Sequence, residues 1–351
     1  MTPADLDAPG TFGNVDPDDA LGDLEVAPGQ WAAAAELTVP RAALDGRDAI
    51  VLTGVGGSGI SSDIAATLGA GRLPVPLIVH KGYGLPAFAG PRTLVVALSC
   101  SGDTDETCSG AEAARDCGAE LVAISRGGRL AALVRDAGAR WVPVQTQCPP
   151  RHSLGMLLVP LLRTLGLDDG LDEALTALES VAERCRRDVP TADNPAKRLG
   201  LLLVQGGTAA VYAGDGVAAP AAYRLKSQLN ENAKLPATWN VLPEAAHNEI
   251  VGWQEPVPGQ GVRGGVVMLR DPSGEHPRTA RALDVFTDLV APHAGWTQEL
   301  MAEGHSPLAR LASLLLLGDF ASVYAALALG RDPSPIGNID RLKGALREAD
   351  A

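Results

Sequence analysis

From Ala49 onward, short apolar runs alternate with stretches in which apolar residues recur every three or four positions. The runs Ala49 to Thr53, Leu77 to His80, Leu94 to Leu98 and Glu120 to Ile124 predict strands, and Trp141 to Val144 predicts a fifth. After the first, Ile60, Ile64 and Leu68 fall four apart, one apolar stripe of a helix. A helix from Leu154 to Leu165 follows the fifth strand. Strands alternating with helices imply a parallel sheet covered on both faces. The charged stretch DEALTALESVAERCRRDVPTADNPAKR predicts a linking helix. From about Asn194 the alternation resumes, with a helix at Lys197 to Val204 and a break at Gly206-Gly207. Strands are expected at Ala209 to Ala213, Thr238 to Leu242 and Gly265 to Leu269, and a long helix from Pro307 to Leu329. Residues 1–46 are acidic and proline-containing, with one helical patch from Trp31 to Leu37. They read as an arm that packs on a later domain or on a neighbouring subunit. The expected division is an arm at 1–46, an α/β unit at 47–166, a linking helix at 167–193 and a second α/β unit at 194–351.

Composition narrows the function classes. The chain has 351 residues, enough for two domains with a core that needs no stapling. A net charge of −13 argues against a nucleic-acid partner, because phosphate neutralisation needs clustered Lys and Arg. Five cysteines without a CxxC spacing argue against a disulfide framework and a zinc knuckle. No uninterrupted apolar run reaches the roughly 18 residues of a membrane span. MTPADLDAPG carries no basic region followed by an apolar one, so secretion is not signalled. A reduced, cytoplasmic protein is the expectation.

Residues 54 to 59 read GVGGSG, the G-x-G-x-x-G spacing of a dinucleotide loop between strand and helix. Such a site also places an acidic residue about 20 residues on, at the end of the second strand. Here PLIVHKGYG ends that strand on His80 and Lys81, so the carboxylate is missing. The turn still offers backbone N–H groups and a helix dipole to an anion, and a tight turn without a ligand is the plainer reading. After the third strand, VVALSCSGDTDET gathers Ser99, Ser101 and Thr104 around Gly102. Three hydroxyls beside free helix N–H groups suit a phosphate monoester, although Thr104 alone would be read as an N-cap. Asp103 and Asp105 bring negative charge to the same loop, and Asp103 is expected to cap the helix or hold the loop. Together the two loops favour a sugar phosphate over a dinucleotide.

The segment KSQLNENAKLPATWNVLPEAAHNEIVGW, Lys226 to Trp253, packs amides, acids and a histidine among two tryptophans. A polar contact between domains is the plain alternative. In order, GVGGSG, SCSGDT, PRHSLG, LNENAK…PA…LPEAAHNEI and DPSP…LK resemble the bifunctional phosphoglucose/phosphomannose isomerases of the SIS (sugar isomerase) superfamily. The resemblance runs from residue 50 to the C-terminus. The first two motifs are shared widely among SIS domains, whereas LNENAK with HNEI is specific to this branch. It implies an α/β fold of two SIS domains, each a flavodoxin-like parallel sheet flanked by helices, which agrees with the periodicity.

Aldose–ketose interconversion must anchor the phosphate, open the sugar ring and move a proton between C2 and C1 through an enediolate. A carboxylate suits the proton transfer, a histidine suits ring opening, and a cation stabilises the enediolate charge. No metal or redox cofactor is required. The resemblance assigns Glu231 as base, His247 as the ring-opening residue, Arg151 to the enediolate and Lys343 to the sugar. It places Gly57, Ser58, Ser99, Ser101 and Thr104 in the phosphate clamp, with Lys226, Asn232 and Lys234 in support. The plainer readings are a helix-surface acid for Glu231, a helix cap for Arg151 and a fraying terminus for Lys343. The family's subunits are dimers in which the histidine crosses the interface, so His247 is expected to serve a neighbour. Cys100 and Asp103 stand where relatives often carry an aromatic residue and Asn, and Ser334 where Thr is common.

Three rivals differ in chemistry. A nicotinamide dehydrogenase lacks its acidic residue after the second strand. A zinc-dependent isomerase lacks its ligands, since His80, His152, His276, His293 and His305 form no metal-binding pattern. A SIS domain that only senses a sugar phosphate, or an isomerase of another phosphosugar, remains the alternative.

Overall fold

Apolar side chains decide where the acidic N-terminal segment goes. The computed structural model describes residues 5–8, 12–206, 208–255 and 264–349. Three short helices, α1 (Phe12–Val15), α2 (Ala20–Glu25) and α3 (Ala27–Ala35), bury Phe12, Leu21, Leu24 and Trp31 in the core of the same chain. The arm therefore packs intramolecularly. A Cβ on Gly155 would overlap the Trp31 indole, so glycine there is what lets the ring lie against the helix behind it.

The uniformly apolar run AIVLT forms β1 (Ala49–Thr53), buried on both faces as the interior of a parallel sheet requires. It is followed by α4 (Gly56–Gly69), β2 (Leu77–His80), β3 (Thr93–Ser99), α5 (Asp105–Asp116), β4 (Glu120–Ser125), α6 (Gly128–Asp136) and β5 (Arg140–Pro143). The strands are all parallel in the order β2-β1-β3-β4-β5, the flavodoxin-like arrangement. Helices α7 (Leu154–Leu165), α8 (Leu171–Cys185) and α9 (Pro195–Leu203) lead to the second sheet. There β6 (Ala209–Gly214), α10 (Ala218–Gln228), β7 (Ala237–Leu242), α11 (Glu249–Gly252), β8 (Gly265–Arg270), α12 (Pro277–Val290) and β9 (Thr297–Met301) follow in turn. The order β7-β6-β8-β9, again all parallel, repeats the first sheet with one strand fewer. The two helices α13 (Pro307–Ala328) and α14 (Gly337–Ala349) end the chain.

The predicted strands form at their positions, with ends displaced by a residue or so. Gly207 of the predicted break lies outside the described residues. Strand β9 went unpredicted because TQELM pairs along one edge of the sheet and buries only Leu300.

Side chains alternate between faces as the pleat dictates. Ile50 and Leu52 join the same continuous core as Val211, Val267 and much of α13, whereas Val51 turns to a separate cluster under α5 and α6. Both sheets thus share one interior, with α13 packed against α8, α9 and α10 inside it. By length and composition α13 is apolar enough to cross a membrane, although no uninterrupted run suggested it, because Arg310 and Asp319 break the pattern. Its most apolar stretch is 94% buried inside the protein, so it is a core helix.

Because the Trp31 indole fills the joint between the arm and α7, Trp31→Ala is expected to cost about 3–5 kcal/mol of unfolding free energy in urea titrations. A loss under about 1 kcal/mol would mean that the arm is not part of the core.

Candidate active site

The hydroxyl loops lie together at the carboxyl ends of β1 and β3, the strand pair where order reverses in a doubly wound sheet. Gly57 sits in the first turn of α4, where a Cβ would press on the Pro150 carbonyl at 3.1 Å. Glycine lets the helix N-terminus approach the 150–151 backbone. Gly102 has φ of +83°, and a Cβ there would overlap the Gly127 carbonyl, so the β3 loop also needs glycine. Ser58 Oγ accepts the Cys100 N–H at 3.3 Å and ties one loop to the other. Ser99 Oγ accepts the Gly102 N–H at 3.0 Å and shares a 2.9 Å hydrogen bond with Thr104 Oγ1. Thr104 occupies the N-cap position of α5 without making a capping bond, so its hydroxyl belongs to the loop. Ser101 Oγ accepts the Asp103 N–H at 3.2 Å. Among the described residues Ser58 and Ser101 donate to nothing and keep their own O–H, and one hydroxyl of the Ser99–Thr104 pair keeps another. Three O–H donors therefore remain for an anion.

The two aspartates of this loop are occupied elsewhere. Asp103 accepts the backbone N–H of Arg129 at 2.9 Å, in the first turn of α6, and Asp105 pairs with the Arg129 guanidinium. Asp103 thus satisfies an N-terminal N–H of α6 rather than capping α5, and in doing so it holds the loop. At the end of β2, Lys81 is paired with Asp63 on α4 at 2.6 Å.

Arg151 is carried on a single 3-10 turn, Pro150–His152, and is 6% exposed. Its Nε donates to Asn232 Oδ1 at 2.9 Å, and its Nη2 donates to the carbonyls of Pro333 at 3.2 Å and Ser334 at 3.0 Å. No hydrogen bond among the described residues uses Nη1. Burial lowers the Arg151 pKa below its ordinary value, against the opposing pull of the Glu231, Asp23 and Asp332 carboxylates. The turn itself is tied to the arm by a 3.0 Å hydrogen bond between His152 Nδ1 and Asp23 Oδ2.

Glu231 lies on a single π turn, Leu229–Ala233, which extends α10. Such turns are common at functional sites because they re-aim a side chain. Asn232 points inward and is fully buried, whereas Glu231 is half-buried. Among the described residues the Glu231 carboxylate makes no hydrogen bond or ion pair, and Arg151 and Lys234 lie within its electrostatic reach. Lys234 closes the turn in the left-handed region, φ +54°, and donates to the carbonyls of Asn232, Asp332 and Pro333. Burial, then Arg151, pulls its pKa down to about 8. In return Arg331 donates to the Ala233 and Lys234 carbonyls, so the 331–334 loop and the π turn clasp each other.

Three sequence candidates stand apart. His247 is exposed at the end of a 3-10 turn, Glu244–His247, and shares no hydrogen bond with Arg151, Glu231 or the hydroxyl loops among the described residues. Its segment is nonetheless tied to β6 and β7. Glu249 accepts from Tyr212 Oη at 2.7 Å and from Asn240 Nδ2 at 2.6 Å. Lys343 is exposed on α14, whose Ile339, Leu342 and Leu346 are also uncovered. Lys226 lies 5.9 Å from the Tyr223 ring, on which Trp239 stacks, rather than among the Arg151 contacts.

The sequence reading missed Arg224, Asp319 and Ser322, and the carbonyls of Pro333 and Ser334. Arg224 Nη2 donates to the Arg151 carbonyl at 2.6 Å and pairs with Asp319 on α13. A lone Asp in the middle of an apolar helix was the available signal, because a buried charge needs a partner. The carbonyls left no signal, since side-chain chemistry does not mark them.

Residues 192–346 match the family described as the bacterial phospho-glucose isomerase C-terminal SIS domain. The chain is 37% identical over 308 residues to a bifunctional phosphoglucose/phosphomannose isomerase of Caldicellulosiruptor bescii, covering 86% of this chain and 90% of that one. A protein of the same description from Aquifex aeolicus is 33% identical over 300 residues, covering 85% and 90%. Among solved structures, a glucose-6-phosphate isomerase like protein from Thermus thermophilus superposes with a TM-score of 0.63 at 20% identity, covering 97% and 98%. That likeness speaks for the fold.

Proposed function

Because this chain belongs to the bifunctional phosphoglucose/phosphomannose isomerase family, we propose that it interconverts glucose 6-phosphate and mannose 6-phosphate with fructose 6-phosphate at the Arg151–Glu231 site. The observation that carries the residue assignment is an unbonded carboxylate, Glu231, within electrostatic reach of a guanidinium fixed by three hydrogen bonds. The phosphate binds the three free hydroxyls of Ser58, Ser101 and the Ser99–Thr104 pair, at the N-terminus of α4 beside Gly57. Glu231 takes the proton from C2 of the open-chain aldose and returns it to C1, and reverses this for the ketose. The charge that builds on the enediolate oxygens is met by Arg151, whose unspent Nη1 is already in place, so little reorganisation is needed in the transition state. Lys234 adds a second positive charge nearby and Lys343 contacts the sugar. The acid–base work and the charge stabilisation come from side chains, so neither a metal nor a redox cofactor takes part.

Ring opening falls to His247, contributed by a second copy of the chain in a homodimer. Support comes from its exposure on a braced segment without a partner in its own site. Helix α11 packs on α12, and Val251, Val285 and Leu289 on that side are uncovered and available to a partner. We place the enzyme in the cytoplasm, where phosphorylated sugars are kept by their charge.

Purified, EDTA-treated protein should isomerise both aldose phosphates in a coupled assay, and Glu231→Gln should reduce kcat roughly 100- to 10,000-fold. Activity on one sugar alone would point to a narrower isomerase. No turnover on either, with fructose 6-phosphate still raising the melting temperature, would leave a sugar-phosphate-binding protein. Mixing inactive Glu231→Gln with inactive His247→Ala tests the shared site. Random re-pairing should restore about a quarter of the wild-type activity, since half the dimers then hold one intact site. No restoration would place His247 in its own chain's site or outside the chemistry.

A further inference from the structure

We propose that Ser322 and the Arg224–Asp319 pair are positioning residues that aim the Arg151 guanidinium from inside the core, an inference that rests on the reading of Arg151 given above. Asp319 and Ser322 lie one turn apart on α13 and are almost wholly buried. Asp319 accepts from Arg224 Nε at 2.8 Å and Nη2 at 2.7 Å, a bidentate fork, and from Gln228 Nε2 at 3.1 Å. The second N–H of the same Nη2 reaches the Arg151 carbonyl at 2.6 Å. That holds the backbone of the arginine.

The side chain is held by a second route from the same helix. Ser322 Oγ donates to the Asp319 carbonyl at 2.7 Å and accepts from Asn232 Nδ2 at 2.9 Å. Asn232 Oδ1 then accepts from Arg151 Nε at 2.9 Å. Each direction along this route is forced. A guanidinium has no acceptor, so Asn232 must turn its oxygen towards Arg151 and its amide N–H towards Ser322. The Ser322 hydroxyl can accept that N–H because its own proton is committed to the Asp319 carbonyl. An amide that cannot flip leaves the guanidinium one orientation. The two routes meet at Asp319, so the backbone and the head of Arg151 are fixed to one rigid helix.

Stability alone does not account for such an arrangement. A buried ion pair is often no more stabilising than well-packed apolar residues of the same volume. Its effect here is orientation, and orientation matters most to a group that acts in the transition state. A displacement of about 1 Å in such a group costs on the order of 100-fold in rate. Among the described residues Ser322, Asp319 and Arg224 share no hydrogen bond with Ser58, Ser99, Ser101 or Thr104, so sugar-phosphate binding should be spared.

The test is a double-mutant cycle on kcat and KM, with Ser322→Ala and Arg224→Lys each made in the wild type and in Arg151→Ala. Each change should lower kcat on fructose 6-phosphate by about 10- to 100-fold in the wild type, with KM within about 3-fold. In the Arg151→Ala background the same changes should alter kcat by less than about 2-fold, because the group they aim is gone. Equal losses in both backgrounds, or none in either, would overturn the proposal. Ser322→Ala removes one hydroxyl and carries the test if Arg224→Lys unfolds. A readout independent of turnover separates this proposal from the isomerase reading. The Arg151 Nε–H should exchange slowly with solvent by NMR in the wild type and quickly in Ser322→Ala. A wild type inactive on every sugar phosphate would sink the isomerase reading, and the exchange result would still decide the network. Unchanged exchange would count against it.

Discussion

A guanidinium that leaves water must find an acceptor for the N–H groups it buries, and Arg151 finds them in segments far apart in sequence. The Asn232 amide and the Pro333 and Ser334 carbonyls receive its side chain, while Arg224 holds its backbone. Those partners belong to the π turn after α10, the loop before α14 and α10 itself, all on the side of the second sheet. Arg151 follows the first sheet, and its turn touches α4 through the Pro150 carbonyl at Gly57. One buried cation therefore ties the turn that packs on Gly57 to the π turn that carries Glu231. The desolvation cost of that cation is met only when every segment is in place, so the site forms as a unit.

The parallel strands were legible because buried strands are continuously apolar and the flanking helices are periodic. The gathering of hydroxyls around Gly102 was legible in the sequence, and the aspartates that bring negative charge to the same loop serve α6 instead. What escaped the sequence was long-range pairing. Asp319 is a lone acid in an apolar helix, and nothing in its sequence neighbours points 95 residues back to Arg224. β9 escaped because an edge strand buries too little to impose a pattern. The roles of Glu231 and His247 came from resemblance rather than from spacing, and the fold separates the two. Glu231 lies in electrostatic reach of Arg151, whereas His247 looks outward.

The proposal that a second subunit completes the site gives that separation a reason. The hydrogen bonds that brace the HNEI segment have a purpose under this reading, since a histidine delivered across an interface needs a fixed platform. Glu249, two residues after the histidine, supplies that platform by binding Tyr212 and Asn240. The N-terminal arm has a comparable part, because Asp23 holds His152 beside Arg151 and Trp31 locks the arm to α7.

The central claim is that Glu231 carries a proton between C1 and C2 beside a preorganised Arg151. Running fructose 6-phosphate to aldose phosphate in D2O and reading C2 of the product by NMR tests this most directly. The account predicts deuterium at C2 in a measurable share of turnovers, because a proton held on Glu231 can exchange with solvent, and loss of that product in Glu231→Gln. Full wild-type turnover with no deuterium at C2 at any temperature, or undiminished incorporation in Glu231→Gln, would contradict it.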